Sequence, residues 1–172
     1  MLTPLANLTR RGWYWLALLV FGLVLEATAL IYQYILDYGP CVLCIHVRIW
    51  VAALVLVSLL GLALRGSWPG RLAIQVLTVG VLAGLTERAW LLLAVERGTV
   101  QGECSFDLGL PAWLALDQWF PLMFQVQEAC GITPPLPFGF TMAEVLLPVA
   151  AVLLAVNALL LLATLLHRGA AR

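Results

Sequence analysis

The stretch GPCVLCIHVR (residues 39–48) opens a long apolar run with two cysteines, Cys41 and Cys44, and places Arg48 four residues further on. On a helix beginning near Cys41, positions 41, 44 and 48 share one face, because residues three and four apart are surface neighbours. The positive end of that helix and the guanidinium both favour a thiolate, the reactive form in disulfide exchange. An arginine among apolar residues is a functional candidate by default; the plainer alternative is a side chain that snorkels to the interface. Sharing a face with the CxxC pair favours the functional role. There a guanidinium would hold a lipid-soluble oxidant with carbonyl oxygens, such as a quinone, and stabilise the charge that arrives with electrons.

The other two cysteines, Cys104 and Cys130, lie in the only sizeable polar segment, residues 97–141. Four cysteines allow three pairings. Cys41 and Cys44 can close locally, which leaves Cys104 with Cys130. The first ring is too short to constrain much chain, so it reads as redox-active, whereas a structural staple explains the second pair well. Between Cys104 and Cys130 runs PAWLALDQWFPLMFQ (111–125). Its apolar residues and two tryptophans suit a short helix on the membrane surface, or a loop packed on the mouth of a bundle.

The elements that must carry these residues follow from composition. Of 172 residues, 63% are hydrophobic and 10% charged, and the mean hydropathy is +1.02. Soluble domains carry about 25% charged residues. A transmembrane helix takes about 20 apolar residues, and four stretches are long enough: roughly 13–34, 42–64, 72–95 and 142–166. The expected fold is all-α, a single membrane domain (1–172) forming a four-helix bundle with one long loop that carries a short interfacial helix. RGSWPGR (65–71) supplies the turn between the second and third spans.

Nine basic residues, all arginine, balance nine acidic ones, which argues against nucleic acid as a partner. Arg10, Arg11, Arg65, Arg71, Arg168 and Arg172 fall at one end of the bundle. Asp37, Glu96, Glu103, Asp107, Asp117 and Glu128 fall at the other, with Arg97 as its loop base. Basic loops stay in the cytoplasm, so both termini are expected inside and all four cysteines at or beyond the outer face. Arg10, Arg11, an apolar run and ATA (27–29) also fit a cleavable signal peptide, but Glu26 within the run counts against one. As a carboxyl in a span, Glu26 is expected to hydrogen-bond to other helices, a direct catalytic role being the lesser alternative.

The layout resembles the disulfide bond formation protein B (DsbB) family. The likeness rests on four spans, CVLC opening the second, an arginine four residues after its second cysteine, and a cysteine pair in the last outer loop. LEATAL (25–30), Gln33 ahead of Pro40-Cys41, and PAWLALDQWFP between the loop cysteines add to it. The resemblance covers nearly the whole chain. It implies a multi-pass protein of the bacterial inner membrane that reoxidises a periplasmic thioredoxin-fold (DsbA-like) dithiol oxidase and passes the electrons to ubiquinone or menaquinone. By that likeness the partner attacks Cys104, Cys130 passes the electrons to Cys41, and Cys44 meets the quinone with Arg48 beside it. TERAWLLL (86–93) resembles an arginine-containing stretch of the family, which makes Arg88 a further quinone contact; it could equally pair with Glu87 or Glu96. The sequence departs from the family pattern at Val47, where an acid or glutamine is frequent, and at His46, where an aromatic is more usual. His46 could tune the thiolate or face lipid. His167 is expected at the interface. Two rival readings remain at this level. A vitamin K epoxide reductase-like protein would carry its CxxC late in the bundle, and a non-enzymatic metal-binding protein would show two close cysteine pairs.

Overall fold

A computed structural model describes residues 8–101, 107–130, 133–136 and 139–169, with 112 and 167–169 by backbone alone. Four long helices dominate: α1 (Gly12–Tyr34), α2 (Val42–Leu64), α3 (Trp68–Glu96) and α6 (Met142–Gly169). Each is long and apolar enough to cross a bilayer. Two single-turn helices, α4 (Leu116–Trp119) and α5 (Pro121–Phe124), lie between α3 and α6. The protein is an integral membrane helical bundle. In lipid this is the expected solution, because a helix satisfies its backbone polar groups internally.

Local chemistry sets the helix starts. The Cys41 sulfur caps α2 by accepting from the Cys44 N–H at 3.2 Å. Ser67 caps α3 by accepting from the Gly70 N–H, also at 3.2 Å, and Pro69 occupies the first turn. Proline is tolerated there because the N–H it lacks would have no partner. With both signals in place α3 begins at Trp68, ahead of the expected residue 72.

α1 packs on α2, α2 on α3, and α3 on α6. Leu23, Val24, Leu59, Leu60, Leu77 and Leu159 are about half exposed, as suits helix faces solvated by hydrocarbon. The interior has two parts. Near the cysteines it comprises Cys41, Ile45, Val51, Leu54, Leu85, Ala89 and their neighbours. At the opposite end, Tyr14, Trp15, Leu18, Val57, Ile74 and Leu160 pack together. A buried polar knot crosses this second part: the Tyr14 hydroxyl donates to Asn157 Oδ1, and Gln75 Nε2 donates to the Asn157 carbonyl at 3.2 Å. The knot joins α1, α3 and α6 where apolar burial contributes little, since lipid is as apolar as leucine.

The stretch 111–125 is helical but divided. A 3-10 turn (Ala112–Leu114) precedes α4 and α5, with breaks at Ala115 and Phe120. Pro121 bars the preceding residue from helical geometry, and Phe120 accordingly sits at φ −134°, ψ 64°. Leu108 and Phe124 are buried in the core at the cysteine end, while Trp113, Trp119, Phe120 and Leu122 face outward.

Close approach of α1 and α2 depends on Gly61, where a Cβ would lie 2.2 Å from the fully buried Trp15 ring. Gly80 of α3 has nothing within 4 Å of the same position. Gly61→Ala should therefore destabilise the bundle by about 1–3 kcal/mol, whereas Gly80→Ala should be neutral or slightly stabilising through helix propensity. Thermal unfolding of both variants in detergent checks this; equal midpoints would show that the Trp15 ring yields.

Candidate functional site

The site lies where α1 ends and α2 begins. Arg48 is 6% exposed and points into the protein, so it does not snorkel. Its Nη1 donates to Gln33 Oε1 at 2.6 Å and to the Met123 carbonyl at 3.0 Å, and its Nη2 donates to the Ala29 carbonyl at 3.1 Å. One guanidinium thus ties α1, α2 and the loop together. Five donors in a fixed fork make that possible.

Further bonds fasten the loop to the mouth of the bundle. The Tyr34 hydroxyl donates to the Leu122 carbonyl at 2.6 Å, and the Gln127 N–H donates to the Pro40 carbonyl at 3.0 Å. Glu96 accepts from the hydroxyls of Thr133 at 2.7 Å and Thr141 at 3.2 Å, while Arg97 pairs with Glu144 at 3.3 Å. The bond to Pro40 holds the segment leading to Cys130 against the residue that precedes Cys41. Cys130 packs on the same core as Cys41 and Cys44 and lies within electrostatic reach of Cys44. The structure thus brings together Cys41, Cys44, Cys130 and Arg48. Cys104 lies outside the described residues.

A cavity of about 340 Å³ opens beside this group, with Cys44, Arg48 and Glu26 on its wall. The remainder of the lining is mainly apolar and includes Leu25, Val47, Val51, Leu92 and Leu146. Glu26 corrects the expectation of hydrogen bonds to other helices: it is 9% exposed, and neither carboxylate oxygen has a hydrogen-bond partner among the described residues. Its neighbour in charge, Arg48, has its bonds elsewhere.

Comparison with known proteins places the chain. The family described as "Disulfide bond formation protein DsbB" matches residues 10–160. "Disulfide bond formation protein B 2" of Pseudomonas aeruginosa PAO1 is 36% identical over 134 residues, 76% of each chain. "Disulfide bond formation protein B" of Photorhabdus laumondii is 28% identical over 155 residues, covering 90% of this chain and 91% of its own. The chain belongs to the DsbB family. It is accordingly a multi-pass membrane protein of disulfide bond formation, a disulfide-forming oxidoreductase by family.

In this DsbB-family member the two remaining candidates stand apart from the cavity. His46 Nε2 makes a 2.9 Å hydrogen bond with the Leu108 carbonyl, so the ring donates from that nitrogen and tethers the loop. Its Nδ1 is buried without a partner among the described residues. Arg88 pairs with Glu87 at 3.0 Å, the local ion pair that was the alternative reading of its sequence; neither residue is among those lining the cavity. His167 has only its backbone described. Sequence reasoning assigned no role to Gln33 beyond family likeness, yet Gln33 holds Arg48. Nothing in the sequence pointed to the Met123 carbonyl, a backbone group that any residue type would supply.

The Cys41 thiol is pushed above the ordinary cysteine range, first by its hydrogen bond with the Cys44 side chain and then by burial. Cys41 therefore keeps its proton while its neighbour sulfur accepts. In the reduced full-length protein at about pH 8, just below the usual thiol value, a small alkylating reagent should modify Cys44 before Cys41. Peptide mapping by mass spectrometry reads the order, and preferential modification of Cys41 would contradict it.

Proposed function

We propose that this protein is a thiol:quinone oxidoreductase of the bacterial inner membrane, with its termini cytoplasmic and its cysteines periplasmic. It reoxidises a periplasmic thioredoxin-fold dithiol oxidase and delivers the electrons to ubiquinone or menaquinone. The observation that carries this reading is the cavity wall shared by a redox sulfur and a buried arginine, Cys44 and Arg48. Its size falls in the range of small-molecule sites, about 300–1,000 Å³.

The residues fit a quinone. Apolar side chains suit the ring and tail, and polar groups are confined to one region of the wall. Arg48 commits three hydrogen bonds to the protein, so part of its five-donor fork remains for a carbonyl oxygen. When bound, a quinone supplies an acceptor for two electrons and two protons. The protein's own part is positional. Gln33 and Ala29 aim the guanidinium, the α2 start sets Cys41 and Cys44 side by side, and the Pro40 contact keeps Cys130 within the same cluster.

In the proposed relay, the reduced partner attacks a Cys104–Cys130 disulfide at Cys104. Cys130 is released and passes the electrons on through Cys41, and Cys44 delivers them at the cavity. Each exchange breaks one disulfide and forms another, so two electrons move without loss. Cys41 and Cys44 end as a disulfide, ready to be reduced again.

Spheroplasts test the direction and the relay together. Reduced thioredoxin-fold partner added outside should be oxidised with matching reduction of quinone, and Cys104→Ser should abolish partner oxidation. If the Cys104→Ser variant still oxidises the partner at the normal rate, or only partner inside the cell is oxidised, the scheme fails.

Arg48 gives a sharper prediction. Losing one hydrogen bond to a charged group costs about 1.5–3 kcal/mol, roughly a ten- to hundredfold change. The apparent KM for quinone should rise in the order wild type, Arg48→Lys, Arg48→Met, because lysine keeps the charge but loses the planar fork. Steady-state quinone reduction in detergent measures it. An unchanged KM in Arg48→Met would confine Arg48 to holding Gln33 and the loop.

A further inference from the structure

Glu26 lies on α1, eight residues before its end at Tyr34. At 1.5 Å per residue that is about 12 Å inside the helix terminus. Its side chain is buried and lines the cavity with Cys44 and Arg48, and both carboxylate oxygens lack hydrogen-bond partners among the described residues. No ion pair joins it to Arg48 among the described residues, although the two interact electrostatically. Leaving a buried polar group unmatched costs about 1–3 kcal/mol. An ionisable group in a membrane helix, lining a cavity with both oxygens unmatched, marks a functional site by default. At α1's other end the buried polar residues Tyr14, Gln75 and Asn157 bond to one another, and only Gln75 Oε1 among them is left unmatched by the described residues. Glu26 has no such company.

We propose that Glu26 is the proton donor to the electron acceptor in this cavity; the inference rests on the quinone reading above. A protonated carboxyl has one O–H to give and can take a proton back. Oxidising the Cys41–Cys44 dithiol to a disulfide releases two electrons and two protons, and converting a quinone to a quinol consumes the same. Glu26 gives its proton to a carbonyl oxygen of the acceptor as the electrons leave the Cys44 sulfur. It then recovers one of the two protons released by the thiols and ends as it began. The second proton on the acceptor comes from water at the helix ends, into which the second thiol proton passes, so the account closes.

The groups facing Glu26 bear on its titration. From α2 they are Cys44 and Arg48, and Tyr32 and Tyr38 come from α1 and the linker after it. α3 contributes Leu92 to the lining, and α6 contributes Met142, Val145, Leu146 and Val149, none of which titrates. Residue 47, also on the wall, is valine, so Glu26 is the only carboxylic acid among the described lining residues.

The test uses the full-length protein in detergent with a short-chain ubiquinone and, separately, a short-chain menaquinone. Difference infrared spectra on adding quinone should show a shifted carboxylic-acid C=O band in wild type that is absent from Glu26→Gln. Quinone binding, read by tryptophan fluorescence, should stay within a few-fold in Glu26→Gln. The kcat for quinone reduction at saturating partner should fall roughly a hundredfold, as for loss of a general acid. Glu26→Asp, which keeps the acid on a shorter arm, should be intermediate. In wild type kcat should decline on the alkaline side as Glu26 loses its proton, and Glu26→Gln should lack that limb. A wild-type kcat and pH profile in Glu26→Gln, or a quinone-bound wild type with no perturbed carboxyl band, would overturn the proposal and leave the quinone reading intact. A wild-type protein that neither binds nor reduces either quinone would overturn both.

Discussion

The burial of one guanidinium organises the cysteine end of this bundle. A charge among apolar helices is costly unless its donors are matched, so Arg48 dictates what stands around it. Gln33 and Ala29 must present oxygens from the last turns of α1, and the loop must bring the Met123 carbonyl down from above. The same three bonds fix the entry to α2, where Cys41 caps the helix and Cys44 follows one turn later. The sulfurs at the start of α2, the cavity wall and one point of the loop are therefore arranged around one buried charge.

The opposite end of the bundle is built differently, and that difference allows the cavity to exist. There the polar knot of Tyr14, Gln75 and Asn157, with Trp15 packed on Gly61, holds α1, α3 and α6 by matched donors and close backbone approach. Small residues and interhelical hydrogen bonds are what lipid-embedded helices have in place of a hydrophobic driving force. With the helices clasped there, the cysteine end tolerates a hollow of about 340 Å³ and an unmatched carboxyl.

The loop shows how a long segment can be ordered without long secondary structure. Its turns are too short to be stable alone, and they hold because their carbonyls are captured by the bundle: Leu108 by His46, Leu122 by Tyr34, Met123 by Arg48. Its apolar residues divide between the core and the outward surface. This arrangement keeps Cys130 near Cys41 and Cys44 while leaving the loop's outward face exposed.

The four spans, the membrane class and the shared face of Cys41, Cys44 and Arg48 were legible in the sequence, because each depends only on local spacing and on transfer of apolar side chains from water. The start of α3 at Trp68 was legible only in part: Ser67 and Pro69 signal it, but hydropathy does not reach so far. What tertiary structure alone decided was the pairing of polar groups. Glu26 looked like a residue that would find partners on other helices, and among the described residues it found none, while Arg48, for which snorkelling was the alternative, turned inward. Arg88 and His46 shared the cysteine end with the site and were drawn to Glu87 and to the Leu108 carbonyl. A hydrogen bond depends on distances of a few tenths of an ångström between atoms far apart in the chain. Periodicity and composition carry no record of those distances, so only the packed helices could settle which polar groups met.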